Sequence, residues 1–201
     1  YKCVRFEQML KECGYIEGAV RTDCKQGSIR VTDNPYDVAI DGQGYIPVTS
    51  PDGEIQYTRD GSFKVGADGY LYTIDDWIVG DGIKMPPNFY KFQIKPNGDI
   101  VSYDAAGSKG KKVATIPLVT FDAPEELNQG VNNKMVATQE SGQPKLVLNH
   151  ERFKQNCAEN SNTNIYAEVN DMLRLNASMI ASMRLLKVAD DMYNKGINIR
   201  E

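Results

Sequence analysis

The hydrophobic residues of this chain follow two different periods, one before about residue 149 and one after it. Between residues 35 and 148, short alternating runs such as 45–49 are separated by Asp-Gly, Asn-Gly and related turn pairs, which is typical of antiparallel strands. From residue 165 to about 195, apolar residues recur every three or four positions, which predicts one long amphipathic helix. The pattern therefore predicts a mainly β fold: a small antiparallel β-domain plus a long C-terminal α-helix.

The same pattern divides the chain into four segments. We expect an extended or linker segment at 1–34, a β-rich domain at 35–148, a polar Asn-rich connector at 149–164 and a helix at 165–195. Within the first segment the residues fit either a short helix or an extended arm, and 28–31 can be a strand. Because the first residue is Tyr and not Met, we expect a fragment or a processed product.

The predicted helix carries an apolar seam with alternating spacings of four and three residues, which is the pattern of a coiled coil. Such a helix covers its own sheet in many α+β domains. Asn176 and Asp190 on the seam would be costly in a monomeric core, whereas a polar residue in a helix array can fix the register. We therefore expect the seam to pack on another chain through Ile165, Val169, Met172, Asn176, Met179, Met183 and Leu186.

Composition and charge exclude several classes of protein. A net charge of −4 and a pI near 5.2 argue against nucleic-acid binding, and the lysine-rich stretch 109–112 is interpreted as a solvated loop tip. No run of 18 apolar residues is present, so the sequence predicts no insertion into a membrane. With 41% hydrophobic residues the chain can form a real core.

The sequence offers no constellation of catalytic or metal-binding residues. His150 is the only histidine, so neither a catalytic triad nor an ordinary zinc site can be assembled. The four cysteines lack Cys-x-x-Cys spacing, and they are Cys3, Cys13, Cys24 and Cys157. The many Asp residues adjoin Gly in turns, where their side chains accept backbone hydrogen bonds. We expect no enzymatic activity, no cofactor and no catalytic, cofactor-binding or metal-ligating residue.

Four strings carry a resemblance to a known family. They are Thr-Asp-Asn-Pro-Tyr-Asp-Val-Ala-Ile-Asp-Gly-Gln-Gly-Tyr at 32–45, Tyr-Thr-Arg-Asp-Gly-Ser-Phe at 57–63, Asp-Gly-Tyr-Leu at 68–71 and Ser-Asn-Thr-Asn-Ile at 161–165. In residue type, order and spacing they resemble the bacterial flagellar rod and hook axial proteins. The resemblance covers most of 26–195 and is closest to the rod subgroup, the distal rod protein first and its proximal relative second.

The resemblance implies a structural function. Proteins of this family carry a small β-domain on paired terminal helices that pack around a central channel. The implied protein is a rod subunit that polymerises helically into a hollow drive shaft, transmits motor torque to the hook and encloses the export channel. Its implied partners are further copies of itself, other rod subunits, the hook protein and the surrounding ring bushing, with no nucleic acid and no membrane insertion. The implied location is the periplasm-spanning basal body, reached through the flagellar type III export apparatus. From the resemblance we also expect that the family's N-terminal helix is not part of this sequence and would have ended near its first residue.

Individual positions in these strings are predicted to have packing functions. Asn34, Pro35 and Asp37 are expected to fix the entry into the β-domain, because Pro35 removes a backbone donor and holds the preceding residue extended. Four glycines are expected to serve tight turns that need a positive φ, and they are Gly42, Gly44, Gly61 and Gly69.

Two other classes remain open from the residues alone. An enzyme or calcium-binding domain would use the Asp-rich turns. A secreted adhesin or carbohydrate-binding module would use exposed aromatic side chains at Tyr70, Tyr72 and Trp77. Neither class explains the apolar seam of the terminal helix.

Overall fold

The computed structural model describes residues 3–10, 16–87, 89–104, 109–148 and 151–198, with side chains described between residues 24 and 196. The predictions that concern Cys13 and His150 lie outside the described residues. Two compact units divide the chain, one up to Asn162 and the other from Thr163 onward. The first unit contains the strands and the second contains a single long helix among its described residues. This mainly β fold with a terminal helix confirms the predicted fold class.

In the described part of the first unit the strands are short and antiparallel, and one 3₁₀-helix spans Pro124–Glu126. The strands are β1 (Cys3–Leu10), β2 (Ile16–Asp23), β3 (Ile29–Val31), β4 (Val38–Ile40), β5 (Ile46–Thr49), β6 (Ile55–Thr58), β7 (Phe63–Val65), β8 (Leu71–Thr73), β9 (Ile78–Val79), β10 (Lys91–Ile94), β11 (Asp99–Tyr103), β12 (Lys111–Thr115), β13 (Val119–Thr120), β14 (Asn128–Gln129), β15 (Lys134–Val136), β16 (Lys145–Leu146), β17 (Phe153–Gln155) and β18 (Cys157–Glu159).

The largest sheet has seven strands in the order β14-β15-β6-β5-β9-β8-β7. Asp52-Gly53 joins β5 to β6 and Asp68-Gly69 joins β7 to β8, so these hairpins stand where the turn pairs predict them. A separate sheet has the order β10-β11-β12, with Asn97-Gly98 in its first turn. The strands of this sheet do not all pair in chain order, because β15 returns from far along the chain to pair with β6.

The core of the first unit lies between these sheets. A large cluster of buried side chains includes Ile40 on β4, Ile46 on β5 and Val79 on β9. A smaller aromatic cluster places the ring of Phe121 edge-on to the rings of Tyr45 and Tyr57, with centroids 5.9 and 4.8 Å away. The alternation of buried and exposed residues along β5 and β10 accounts for this packing.

Three expectations about segments need correction. The alternative of a short helix in 1–34 is wrong, since β1 and β2 form a hairpin in which Cys3 lies opposite Asp23. The expected connector contains strands, since β17 pairs with β4 and β18 pairs with β3. The physical reason is Phe153, an isolated aromatic residue whose side chain is fully buried in the core. Finally, 109–112 is not simply a loop tip, because β12 begins at Lys111.

Glycines of the expected turns serve two different purposes. Gly42, Gly44 and Gly69 have φ values of 109°, 150° and 83°. Gly61 has no positive φ, so its predicted conformational function is wrong. The backbone of Gly61 lies against the backbone of Val38, whose N–H donates to the Gly61 carbonyl at 3.0 Å. A Cβ on Gly61 would overlap the Val38 carbonyl oxygen. Gly61 therefore permits a close approach of two backbone segments.

We expect Gly61→Ala to lower the free energy of unfolding of the β-domain by about 2 kcal/mol or more, because backbone atoms must move to admit the methyl group. Gly53→Ala is the matched control: its Cβ would meet no atom within 4 Å, and the only cost is about 1 kcal/mol for its φ of 88°. Urea unfolding of the two variants measures both values. Equal losses of stability in the two variants would contradict the close-approach explanation.

Candidate subunit interface

The second unit is one helix, α1, which spans Ile165–Asn198 and contains 34 residues. Asn164, the residue before the helix, caps its N-terminus. Its side-chain oxygen accepts hydrogen bonds from the N–H groups of Tyr166 at 3.0 Å and Ala167 at 3.4 Å. Glu168 lies in the first turn and Lys195 in the last, where their charges favour the helix dipole. The cap explains where the helix begins, and at 1.5 Å per residue its 34 residues span about 51 Å.

We expect Asn164→Ala to destabilise α1 by about 1 kcal/mol, because the two N–H groups lose their acceptor. Asn164→Asp keeps an acceptor oxygen at the same place and should retain the helix. Circular dichroism of the two variants during thermal melting gives the comparison. An unchanged helical signal in Asn164→Ala would show that the cap contributes nothing.

The predicted seam lies on α1 with its apolar side chains exposed. Exposure of these residues runs from 48% at Val169 to 73% at Ile165. All seven seam residues are on the helix and all are exposed, the polar Asn176 included. Exposed apolar patches of this length mark surfaces that bind another molecule. The seam residues are Ile165, Val169, Met172, Asn176, Met179, Met183 and Leu186.

A second apolar row on α1 was missed by the sequence reasoning. Tyr166, Leu173 and Ile180 follow one another at intervals of seven residues and are all exposed. Since each residue turns a helix by about 100°, this row lies beside the seam and widens the apolar face to about half of the helix circumference. A search of the sequence for apolar residues at seven-residue intervals would have identified this row. A face of this width exceeds what one partner helix covers.

A partly buried ion pair joins the end of β18 to other segments of the first unit. The Arg59 guanidinium donates to the Glu159 carboxylate at 2.8 Å, and their side chains are only 15% and 12% exposed. Arg59 also donates to the carbonyl oxygens of Gly44 at 2.9 Å and Gly42 at 3.0 Å. The Glu159 carboxylate accepts a further bond from the N–H of Gly27 at 3.0 Å. This network joins four segments of the first unit through one arginine.

The expected entry residues form a compact turn. The Asn34 side chain accepts from the N–H of Tyr36 at 3.2 Å and donates to the Asp37 carboxylate at 2.8 Å. The Tyr36 ring then packs on Phe92, with centroids 4.9 Å apart. Pro35 lies inside this turn, where its fixed φ is compatible with the chain reversal. The turn therefore positions an aromatic side chain against the core.

The Asp-rich turns use their carboxylates locally. Asp60 accepts from the N–H of Ser62 at 3.0 Å and Asp68 accepts from the N–H of Tyr70 at 3.2 Å. The hydrogen bond from Tyr72, 2.7 Å long, also holds the pKa of Asp68 below its ordinary value. Within the described ranges, no three His, Cys, Asp or Glu side chains are grouped to hold a metal ion.

Trp77 is not an exposed binding aromatic. Its side chain is 8% exposed and Lys134 lies over the ring, with Nζ 4.6 Å from the centroid. Lys134 is itself buried and donates to Asp75 at 2.6 Å, and this bond holds the pKa of the Asp75 carboxyl below its ordinary value. The expectation that Trp77 would be available for carbohydrate is wrong, because the ring and the lysine stem pack on each other.

None of the helices in the described residues combines the length and hydropathy needed to cross a membrane. The seam forms an apolar stripe on α1, and the other exposed positions carry charged residues such as Arg174 and Asp171 together with apolar residues such as Leu185 and Met192. An amphipathic helix of this kind pairs with protein surfaces that offer a complementary apolar stripe. An exposed terminal helix with apolar side chains is typical of a surface that binds another molecule.

A comparison with protein families finds a match within the β-domain. The family described as flagellar hook protein FlgE/F/G D1 domain matches residues 39–102. These residues run from β4 through most of β11 and contain the turns at Asp52-Gly53 and Asp68-Gly69. The match places the β-domain in the class of flagellar hook and rod proteins.

Similar proteins extend the match along the chain. The flagellar basal-body rod protein FlgG of Caulobacter vibrioides is 28% identical over 191 residues, 93% of this chain and 73% of the relative. The FlgG protein of Buchnera aphidicola subsp. Schizaphis graminum is 32% identical, over 85% of this chain and 67% of the relative. A rod protein named FlgF from Mesorhizobium japonicum is 26% identical, over 92% and 77%. The chain belongs to the family of flagellar basal-body rod proteins, and it is a structural component of the bacterial flagellum.

Proposed function

We propose that this chain polymerises head to tail into a hollow, rigid section of the flagellar rod, with α1 in the inner layer and the β-domain outside. The observation that carries the proposal is the exposed apolar face of α1, together with membership of the rod protein family. Identical subunits joined by contacts that are not self-complementary build an open helical array. Such an array can transmit torque from the motor to the hook and leave a channel for export.

The width of the apolar face supports contacts with more than one neighbouring helix. The seam occupies one stripe and the row of Tyr166, Leu173 and Ile180 occupies a second stripe beside it. A tube needs each helix to contact neighbours on two sides, whereas a dimer needs one stripe. The methionines at 172, 179 and 183 suit this use, since an unbranched thioether adapts to different neighbours.

Other partners follow from the same proposal. At the ends of such a rod section the chain meets other rod subunits and the hook protein, and the outer surface faces the ring bushing. We place the chain in the periplasm-spanning basal body and assign its delivery to the flagellar type III export apparatus. Neither nucleic acid nor direct insertion into the membrane is part of the proposal, and the proposal requires no enzymatic activity or cofactor.

Sedimentation velocity of the 201-residue chain over a wide concentration range tests the proposal. A nucleated polymer should appear above a threshold concentration, because each added subunit buries the apolar face of α1. Dimers or tetramers that stop growing would contradict the open array. A monomer at every concentration would contradict self-assembly altogether.

A further inference from the structure

Charge is distributed very unevenly along the β-domain. Residues 33–81 contain ten Asp and Glu but only two Lys and Arg, a net charge of −8. Residues 84–112 contain six Lys and two Asp, a net charge of +4. The acidic stretch forms most of the seven-stranded sheet, whereas the basic stretch forms the sheet β10-β11-β12. The two charges are therefore carried by different sheets of one domain.

The basic surface centres on the edge strand β10. Along it Lys91 and Gln93 are exposed while Phe92 and Ile94 are buried, and Lys95 follows as the next exposed residue. Neither Lys91 nor Lys95 has a carboxylate partner among the residues that the structure describes. We call these two lysines the basic edge. Both are exposed, and no carboxylate of the described residues balances their charges.

An aromatic groove of about 430 Å³ adjoins the basic edge. Tyr36, Phe89 and Phe92 contribute packed rings, with the Phe89 and Phe92 centroids 5.8 Å apart. Tyr90 is 70% exposed at the same groove, and Lys91 lines it. The groove therefore offers an apolar seat directly beside a cation.

The turn between β5 and β6 has the complementary features. Asp52 and Glu54 are exposed, and no cation pairs with either of them in the described ranges. Ile55 follows, 57% exposed. The Ser50 hydroxyl accepts hydrogen bonds from the N–H groups of Asp52 at 3.2 Å and Glu54 at 3.1 Å, which gives this acidic turn a fixed shape.

We propose that the acidic turn of one copy docks on the basic edge of the next copy, with Ile55 in the aromatic groove and the two carboxylates opposite Lys91 and Lys95. The inference rests on the proposed head-to-tail polymer and names the surfaces through which its β-domains meet. Because the two surfaces differ, the contact is not self-complementary and propagates in one direction. Attraction between opposite charges favours this contact. Repulsion between like charges opposes contacts between two acidic turns or between two basic edges.

Charge reversal with compensation tests the contact. In the full chain, Lys91→Glu with Lys95→Glu should raise the threshold concentration for assembly by roughly tenfold, and so should Asp52→Lys with Glu54→Lys, because attraction is replaced by repulsion. A chain that carries all four changes regains the attraction and should return to within about threefold of the original threshold. The matched control for the lysine pair is Arg30→Glu with Lys145→Glu, which lowers the net charge by the same four units elsewhere on the domain.

Carbodiimide cross-linking of the unaltered chain separates this inference from the polymer itself. An equal mixture of ¹⁵N-labelled and unlabelled copies should yield amide links from Lys91 or Lys95 to Asp52 or Glu54 that join two different copies. Such links without a polymer would support the contact and contradict the rod array. A polymer that shows none of these cross-links, and whose charge-reversed variants have assembly thresholds no higher than the control, would overturn the proposed contact but not the polymer. Neither polymer nor links would overturn both.

Discussion

Replacing Met179 and Met183 by Asp should abolish polymerisation while the β-domain stays folded. Both side chains are exposed on α1, so the free chain tolerates the carboxylates. Burial of an unpaired carboxylate against apolar neighbours costs about 3 kcal/mol or more, which exceeds a hundredfold in an association constant. Sedimentation velocity and circular dichroism of the variant measure assembly and folding separately.

The matched control for this variant is Ser178→Asp with Ser182→Asp. These serines have the same spacing, precede each methionine by one residue and lie outside the seam, where Ser182 donates to the Ser178 carbonyl at 2.9 Å. The control adds the same charge and should still polymerise. Equal assembly of both variants, or normal swimming of cells that depend on the Met179→Asp, Met183→Asp chain, would show that the seam is not an interface.

The second large effect is expected at the ion pair of Arg59 and Glu159. Arg59→Met removes the cation and leaves a largely buried carboxylate without its partner, and it also frees the carbonyl oxygens of Gly42 and Gly44. Breaking a buried pair on one side costs about 3 to 5 kcal/mol. Arg59→Lys should recover little of this loss, since a single ammonium cannot reach all of these acceptors. Urea unfolding of the chain gives the values.

Lys145→Met is the control for this loss. Lys145 and Asp122 form an ion pair with side chains more than 60% exposed, so its removal should change the free energy of unfolding by less than about 1 kcal/mol. Unfolding midpoints of Arg59→Met and Lys145→Met that coincide would contradict the structural importance of the buried pair.

The strands that adjoin a turn pair could be read from the sequence. Asp52-Gly53 and Asp68-Gly69 specify hairpins locally, because a Gly supplies the positive φ that the turn requires. The helix was equally predictable, since its period and the cap at Asn164 are also local signals. Such features need no knowledge of the rest of the fold.

Pairings between distant strands could not be read in this way. One of the two neighbours of β6 in the sheet is β15, and β17 pairs with β4 across more than a hundred residues. Strands of two or three residues carry too little pattern to specify a distant partner. Phe153 shows the difficulty: a single aromatic residue in a polar stretch looked like part of a connector and is instead core.

The candidate interface was predicted in part for a similar reason. Spacings of three and four residues identified the seam, whereas the row of Tyr166, Leu173 and Ile180 needs the seven-residue interval to be followed separately. The buried side chain of Trp77 was misjudged because the ring is covered by Lys134, a residue far away in the sequence. The surfaces at Lys91 and Glu54 became visible only when exposure was known.

Helical reconstruction by electron microscopy of the concentrated chain tests the central claim most directly. We predict a hollow tube in which α1 lines the inner layer and Val169, Met179 and Met183 are buried between subunits. A polymer whose subunits leave these three side chains in solvent, or a chain that stays monomeric at the highest concentrations, would contradict the account.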